Sequence, residues 1–96
     1  MNEAFSEHLR LTILRLLSGA PAYTANSSIL HSAVLEFGFS ATRDQIRTEL
    51  AWLEEQRCLK TRTLEGLVVA TLTERGQDCA EGRCRIPGIQ SPAARG

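Results

Sequence analysis

The chain of 96 residues is 43% hydrophobic and 23% charged, with 11 Lys and Arg against 11 Asp and Glu. A chain this short buries only about 60–65% of its unfolded surface and supports one core, and its composition is globular, which excludes a disordered, fibrous or multidomain protein. No apolar run approaches the ~20 residues that span a bilayer, and Glu3 and Glu7 stand where a secretory signal carries positive charge, so a cytoplasmic protein free of the membrane is expected.

From Glu3 to Ser18, the residues Phe5, Leu9, Ile13, Leu16 and Leu17 recur at the three-and-four spacing of an amphipathic helix, which Gly19 and Pro21 end. Leu11 and Leu14 fall outside this stripe and need a second partner. One reading makes them a homodimer contact along this helix, isologous dimers being the commonest assembly; the other covers them with the C-terminal tail through Ile86 or Ile89. Asn26 next offers a side-chain oxygen to the free amides of a second helix. Ile29, Leu30, Ala33, Val34 and Phe37 are expected to form its buried face before Gly38 closes it.

After the turn Phe39-Ser40, Thr42-Arg43-Asp44-Gln45 matches a capping box, in which Thr42 and Gln45 reciprocally satisfy backbone amides. The third helix runs on a core stripe of Ile46, Leu50 and Leu53 and stops near Gln56 or Arg57. Trp52 lies off that stripe, to pack under the following strands or to sit in an interface. Past Cys58 the pattern becomes β-rich, Leu59 to Leu64 and Leu67 to Leu72 around Glu65-Gly66, which reads as a hairpin that must lay its apolar side on the helices. Thr73 caps a short final helix through Ala80, stopped by Gly82. Pro87, Gly88, Pro92 and Gly96 then mark an unstructured tail, dividing the chain into a domain over 1–82 and a flexible segment over 83–96. The expected class is α+β and mainly helical: three helices, a two-stranded hairpin and a short C-terminal helix.

Cys58, Cys79 and Cys84 are an odd set without a C-x-x-C pair, and His8 and His31 read as surface residues, so no disulfide framework, metal site or cofactor is expected. The sequence has no G-x-S-x-G, phosphate loop or His-x-x-x-His ligand pair, which points away from an enzyme.

Two stretches carry a resemblance. Thr42 to Gln56 is similar to the recognition helix of the winged helix-turn-helix superfamily of bacterial and phage regulators, and Leu72-Thr73-Glu74-Arg75-Gly76 resembles the signature that follows its wing. The likeness runs from the first helix to Gly82, and the run from Asn26-Ser27-Ser28 to Leu53-Glu54-Glu55-Gln56 narrows it to small winged-helix proteins of Mu-like phages and prophages. One departure stands out: the family usually has Gly where this chain has Arg57, because the residue ending the recognition helix tends to adopt positive φ.

What the resemblance implies is a small regulator that binds double-stranded DNA. The N-terminal part of the third helix would enter the major groove, presenting Arg43, Gln45, Arg47 and Thr48 to base edges, Arg47 foremost. Lys60 and Arg62, alternating on the first hairpin strand, would bind phosphate beside it, and Ser27 and Ser28 at the start of the second helix would do likewise. Against this, net charge is zero, and Asp44, Glu49, Glu54 and Glu55 repel phosphate from the same helix. Pairs such as Arg43–Glu54 or Arg47–Asp44 would make that face an ordinary solvated one. The competing reading is a protein-interaction adaptor that keeps the fold and presents an acidic third helix.

Overall fold

The computed structural model describes residues 2–92. Asn2 accepts a hydrogen bond from the Phe5 amide at 2.8 Å and opens α1 (Glu3–Ser18), which Gly19 closes. A 3-10 turn (Pro21–Tyr23), with Ala22 and Tyr23 at φ 54° and 56°, leads into a three-residue strand, β1 (Thr24–Asn26). Asn26 caps α2 (Ser27–Glu36) by accepting from the Ile29 amide at 2.9 Å. The expected capping box opens α3 (Arg43–Glu55): Thr42 Oγ1 accepts from the Gln45 amide at 3.0 Å and Gln45 Oε1 from the Thr42 amide at 2.8 Å. β2 (Leu59–Leu64) and β3 (Leu67–Leu72) form the hairpin, and Thr73 caps α4 (Glu74–Ala80) through the Gly76 amide.

Among the described residues the result is an α+β domain of four helices and an antiparallel sheet of three strands, ordered β1-β3-β2. The two-stranded expectation is thus corrected. Thr24, Ala25 and Asn26 pair with Thr71, Ala70 and Val69, so β3 is the central strand, which accounts for its nearly continuous apolar run. Ser27 extends the link: its buried hydroxyl accepts from the Val68 amide at 3.1 Å, fastening the first turn of α2 to the sheet.

The core gathers Leu9, Ile13 and Leu17 of α1, Leu30 and Val34 of α2, and Ile46, Leu50 and Leu53 of α3 over Leu59, Ala70 and Leu72 of the sheet. Two expectations fail here. Leu11 and Leu14 are buried within the single chain, in the same core as Ile86 and Ile89, so they do not form a dimer surface; α1 buries more than one stripe because α2, α3, β3 and α4 all pack against it. On α2 the buried face is narrower than expected: Leu30 and Val34 are inside, whereas Ile29 and Phe37 are exposed.

The packed chain also does not end at Gly82. Beyond α4, the Gln90 amide donates to the Glu7 carbonyl at 3.2 Å and Arg10 Nη1 to the Gly88 carbonyl at 2.8 Å, which lays the segment after Arg85 along α1. Its apolar residues explain why: Ile86 and Ile89 bury their side chains there, outweighing the loop-forming tendency of Pro87 and Gly88. Residues 93–96 of the expected tail lie outside the described residues.

The segment after the hairpin holds the end of α3. Thr73 Oγ1 donates to the Arg57 carbonyl at 2.7 Å, the Thr73 amide to the Cys58 carbonyl at 3.0 Å, and Arg75 Nε to the Gln56 carbonyl at 2.8 Å. Three carbonyls at or beyond the helix end, which would otherwise need water, are satisfied by two residues of the Leu72–Gly76 stretch. The approach is so close that a β-carbon on Gly76 would stand 2.0 Å from the Cys58 carbonyl oxygen, so glycine is required. Arg57 adopts φ 65°, the left-handed conformation for which glycine is better suited.

Candidate nucleic-acid interface

On α3 the buried residues Ile46, Glu49, Leu50 and Leu53 define the inner face, leaving Arg43, Arg47 and Thr48 exposed on the outer one. Arg43 and Arg47 are one helical turn apart, and Glu54 continues their row after seven residues. Glu54 fixes where that row points: its carboxylate accepts from the Thr61 amide at 3.1 Å and the Thr61 hydroxyl at 2.6 Å. The two arginines therefore stand on the side of α3 that borders the hairpin, Arg47 about 10 Å along the axis from that anchor.

The alternative pairs Arg43–Glu54 and Arg47–Asp44 are not formed, and among the described residues Arg43, Arg47, Lys60 and Arg62 enter no ion pair. Two of the four acids feared on this helix are occupied elsewhere. Glu54 is spent on the edge of β2, as above. Glu49, 3% exposed, points inward, where Arg10 Nε donates to its Oε1 at 2.5 Å. Asp44 and Glu55 remain exposed.

Lys60 and Arg62 project from one face of the sheet. The register pairs them with Thr71 and Val69, which in turn oppose Thr24 and Asn26 on β1, while Leu59 and Thr61 face inward over buried Leu72 and Ala70. The cations thus form two pairs on adjoining elements, joined by the Glu54–Thr61 link: one along α3 and one on the sheet face turned away from the core. A row of polar side chains, Thr24, Thr71 and Lys60, crosses that face, with the Thr24 and Thr71 hydroxyls 2.9 Å apart.

The other expected contacts separate. Gln45 spends its side-chain oxygen on the Thr42 amide. Ser27, expected at a phosphate, is corrected to a structural role, because its buried hydroxyl is committed to β3. Ser28 stays half-buried on the first turn of α2. His31 meets the Ala41 carbonyl at 2.8 Å and steadies the turn between α2 and α3.

Sequence reasoning passed over Arg10. Besides Glu49 and Gly88, its guanidinium lies 3.9 Å over the Trp52 ring, so one cation joins α1, α3 and the C-terminal segment beneath the presented face of α3. Glycine is needed at position 88, since a β-carbon there would come within 2.7 Å of Trp52. A signal existed: Arg10 continues the spacing of Ile13, Leu14 and Leu17, and Glu49 that of Ile46, Leu50 and Leu53, so opposite charges recur on two core-facing stripes.

Cys58 and Cys79 are buried, and burial raises their thiols to about 11, with the nearby Cys84 adding to the rise. They are poor nucleophiles and poor ligands. Among the described residues no helix is long and apolar enough to cross a membrane.

Over 95 residues the chain is 41% identical to the uncharacterized protein gp26 of Escherichia phage Mu, the alignment covering 99% of this chain and 98% of that one. It is 40% identical over 83 residues to an uncharacterized protein of Haemophilus influenzae, covering 85% of this chain and 80% of that one. No family model matches the chain, and no solved structure matches it.

Proposed function

The chain belongs to the family of gp26 of Escherichia phage Mu, and from that premise and the geometry of α3 we propose that it is a winged-helix protein that binds double-stranded DNA as a small regulator of phage type. In this reading α3 lies in the major groove, the β2–β3 hairpin is the wing, and β1 is the short strand that completes the wing's sheet. The observation that carries it is the unpaired arginine row: Arg43 and Arg47 are exposed and free of carboxylate partners on the hairpin side of α3, while Glu49 and Glu54 are engaged elsewhere. Thr48 shares the outer face and suits a thymine methyl or a phosphate, and Lys60 and Arg62 supply phosphate contacts from the wing.

A neutral chain binds DNA only through such a local concentration of charge, so affinity falls as salt rises. Selection of random duplexes by the purified protein tests the proposal. An enriched sequence is expected, and Arg47→Ala weakens binding to it by about 1–3 kcal/mol. Absence of any enriched sequence, or binding that ignores salt, overturns it.

The second reading, an adaptor that keeps the fold and presents α3 to another protein, draws on Asp44 and Glu55, which stay exposed beside Arg47 and Thr48. It expects Asp44→Asn and Glu55→Gln to weaken a protein partner, whereas the DNA reading expects both to strengthen binding to duplexes.

A further inference from the structure

The exposed apolar ridge of α2 is not explained by DNA contact. Ile29, Ala33 and Phe37 recur every four residues on one side of this helix, and Ile29 and Phe37 remain 58% and 66% exposed. Phe37 also stands at the rim of a groove of about 370 Å³ between α1 and the α2–α3 turn. Leu16 and Phe39 give the groove its apolar lining beside His8 and Thr12 of α1, and the Phe39 ring is held edge-on by Phe5 at 5.6 Å and His8 at 5.8 Å. Arg15 stands on its α1 wall, and Glu36 is exposed beside Phe37 on the ridge. Neither enters an ion pair among the described residues.

We propose that this surface is a two-fold interface between two copies of the chain, the α2 ridge of each seated in the α1 groove of the other. Self-association about a two-fold needs a patch that is complementary to itself, holding both a projecting part and its receptacle. Here the two are adjacent and share Phe37, so one symmetry axis near that ring makes both insertions at once. The charges match in the same sense: the ridge carries an acid, Glu36, and the groove a cation, Arg15, so each Glu36 meets Arg15 of the second copy. Opposed signs across an interface fix register and partner choice. Arg43, Arg47, Lys60 and Arg62 are not part of the patch, so the proposal stands independently of the DNA reading.

Sedimentation equilibrium over a concentration series tests it. The wild-type chain is expected to form a dimer, and Phe37→Asp to leave a folded monomer by circular dichroism. Arg15→Glu and Glu36→Arg each weaken the dimer at least about tenfold, and the double reversal restores it, because the ion pair re-forms with its signs exchanged. A wild-type chain monomeric throughout the series, which leaves the groove to some other apolar partner, overturns the proposal. So does a dimer indifferent to Phe37→Asp, or a double reversal no tighter than the single ones.

Discussion

At Arg57 the backbone holds φ 65° although the residue has a β-carbon, because the turn between α3 and β2 must reverse within three residues. Its side chain is exposed, while its carbonyl is bound by Thr73 whatever side chain it carries. Arg57→Gly is therefore expected to stabilise the fold by about 1 kcal/mol, measured as a higher midpoint in urea. A lower midpoint would mean that the arginine side chain contributes more than its conformation costs. Glu49 shows the opposite economy. A carboxylate buried on α3 is tolerated because Arg10 both pairs with it and stacks on Trp52, so removing Arg10 would leave an uncompensated charge in the core, whereas Arg10 without Glu49 still faces Glu3 at 3.9 Å and the Gly88 carbonyl.

Among elements, the least expected behaviour belongs to the segment after α4. Ile86 and Ile89 are inside and the Gly88 carbonyl holds Arg10, so the segment acts as a strap across α1 and Trp52. Deleting residues 85–96 is expected to cost about 3–6 kcal/mol from the two isoleucines and to shift Trp52 emission to the red as the ring meets water. Unchanged emission and stability would mean that the strap is not docked in solution. Legibility in the sequence followed the range of the forces involved. Three of the four helix N-caps, at Asn26, Thr42 and Thr73 but not Asn2, and the hairpin were readable because each is settled by side chains a few residues apart. β1 was not: three residues show no alternation, and the strand they pair with is more than forty residues away. The strap was misread because Pro87 and Gly88 signal a loop locally, while the burial of Ile86 and Ile89 depends on α1, at the other end of the chain. Ile29 and Phe37 were misplaced for a related reason, since helical spacing identifies an apolar face without saying whether anything covers it.

For the whole molecule, zero net charge conceals a local arrangement on α3: Glu49 is turned inward and Glu54 is tied to the edge of β2, while Arg43 and Arg47 are left outside beside the exposed Asp44 and Glu55. The candidate site was therefore legible as a list of residues, but the freedom of its cations was not, because Arg10 and Thr61 had to be placed first. Stability at alkaline pH is also a property of the entire core. The Cys58 and Cys79 thiols, raised by burial from 9.0 to about 11, stay protonated in the fold at a pH where the unfolded chain ionises. Their contribution is fully present below pH 9.0 and is lost as pH rises toward about 11. Urea midpoints measured across this interval should fall, and Cys79→Ala should flatten the decline; a flat profile for the wild type would contradict the burial.

The grip of Thr73 and Arg75 on the carbonyls that end α3 reaches beyond static packing. Hydrogen bonds at a helix terminus normally open first and alone, in a fraying equilibrium private to that helix. Here the final turn of α3 is released only if Thr73 and Arg75 let go, and Gly76, pressed on Cys58, must move with them. The end of α3, the base of the hairpin and the start of α4 are consequently expected to open and close together rather than one by one.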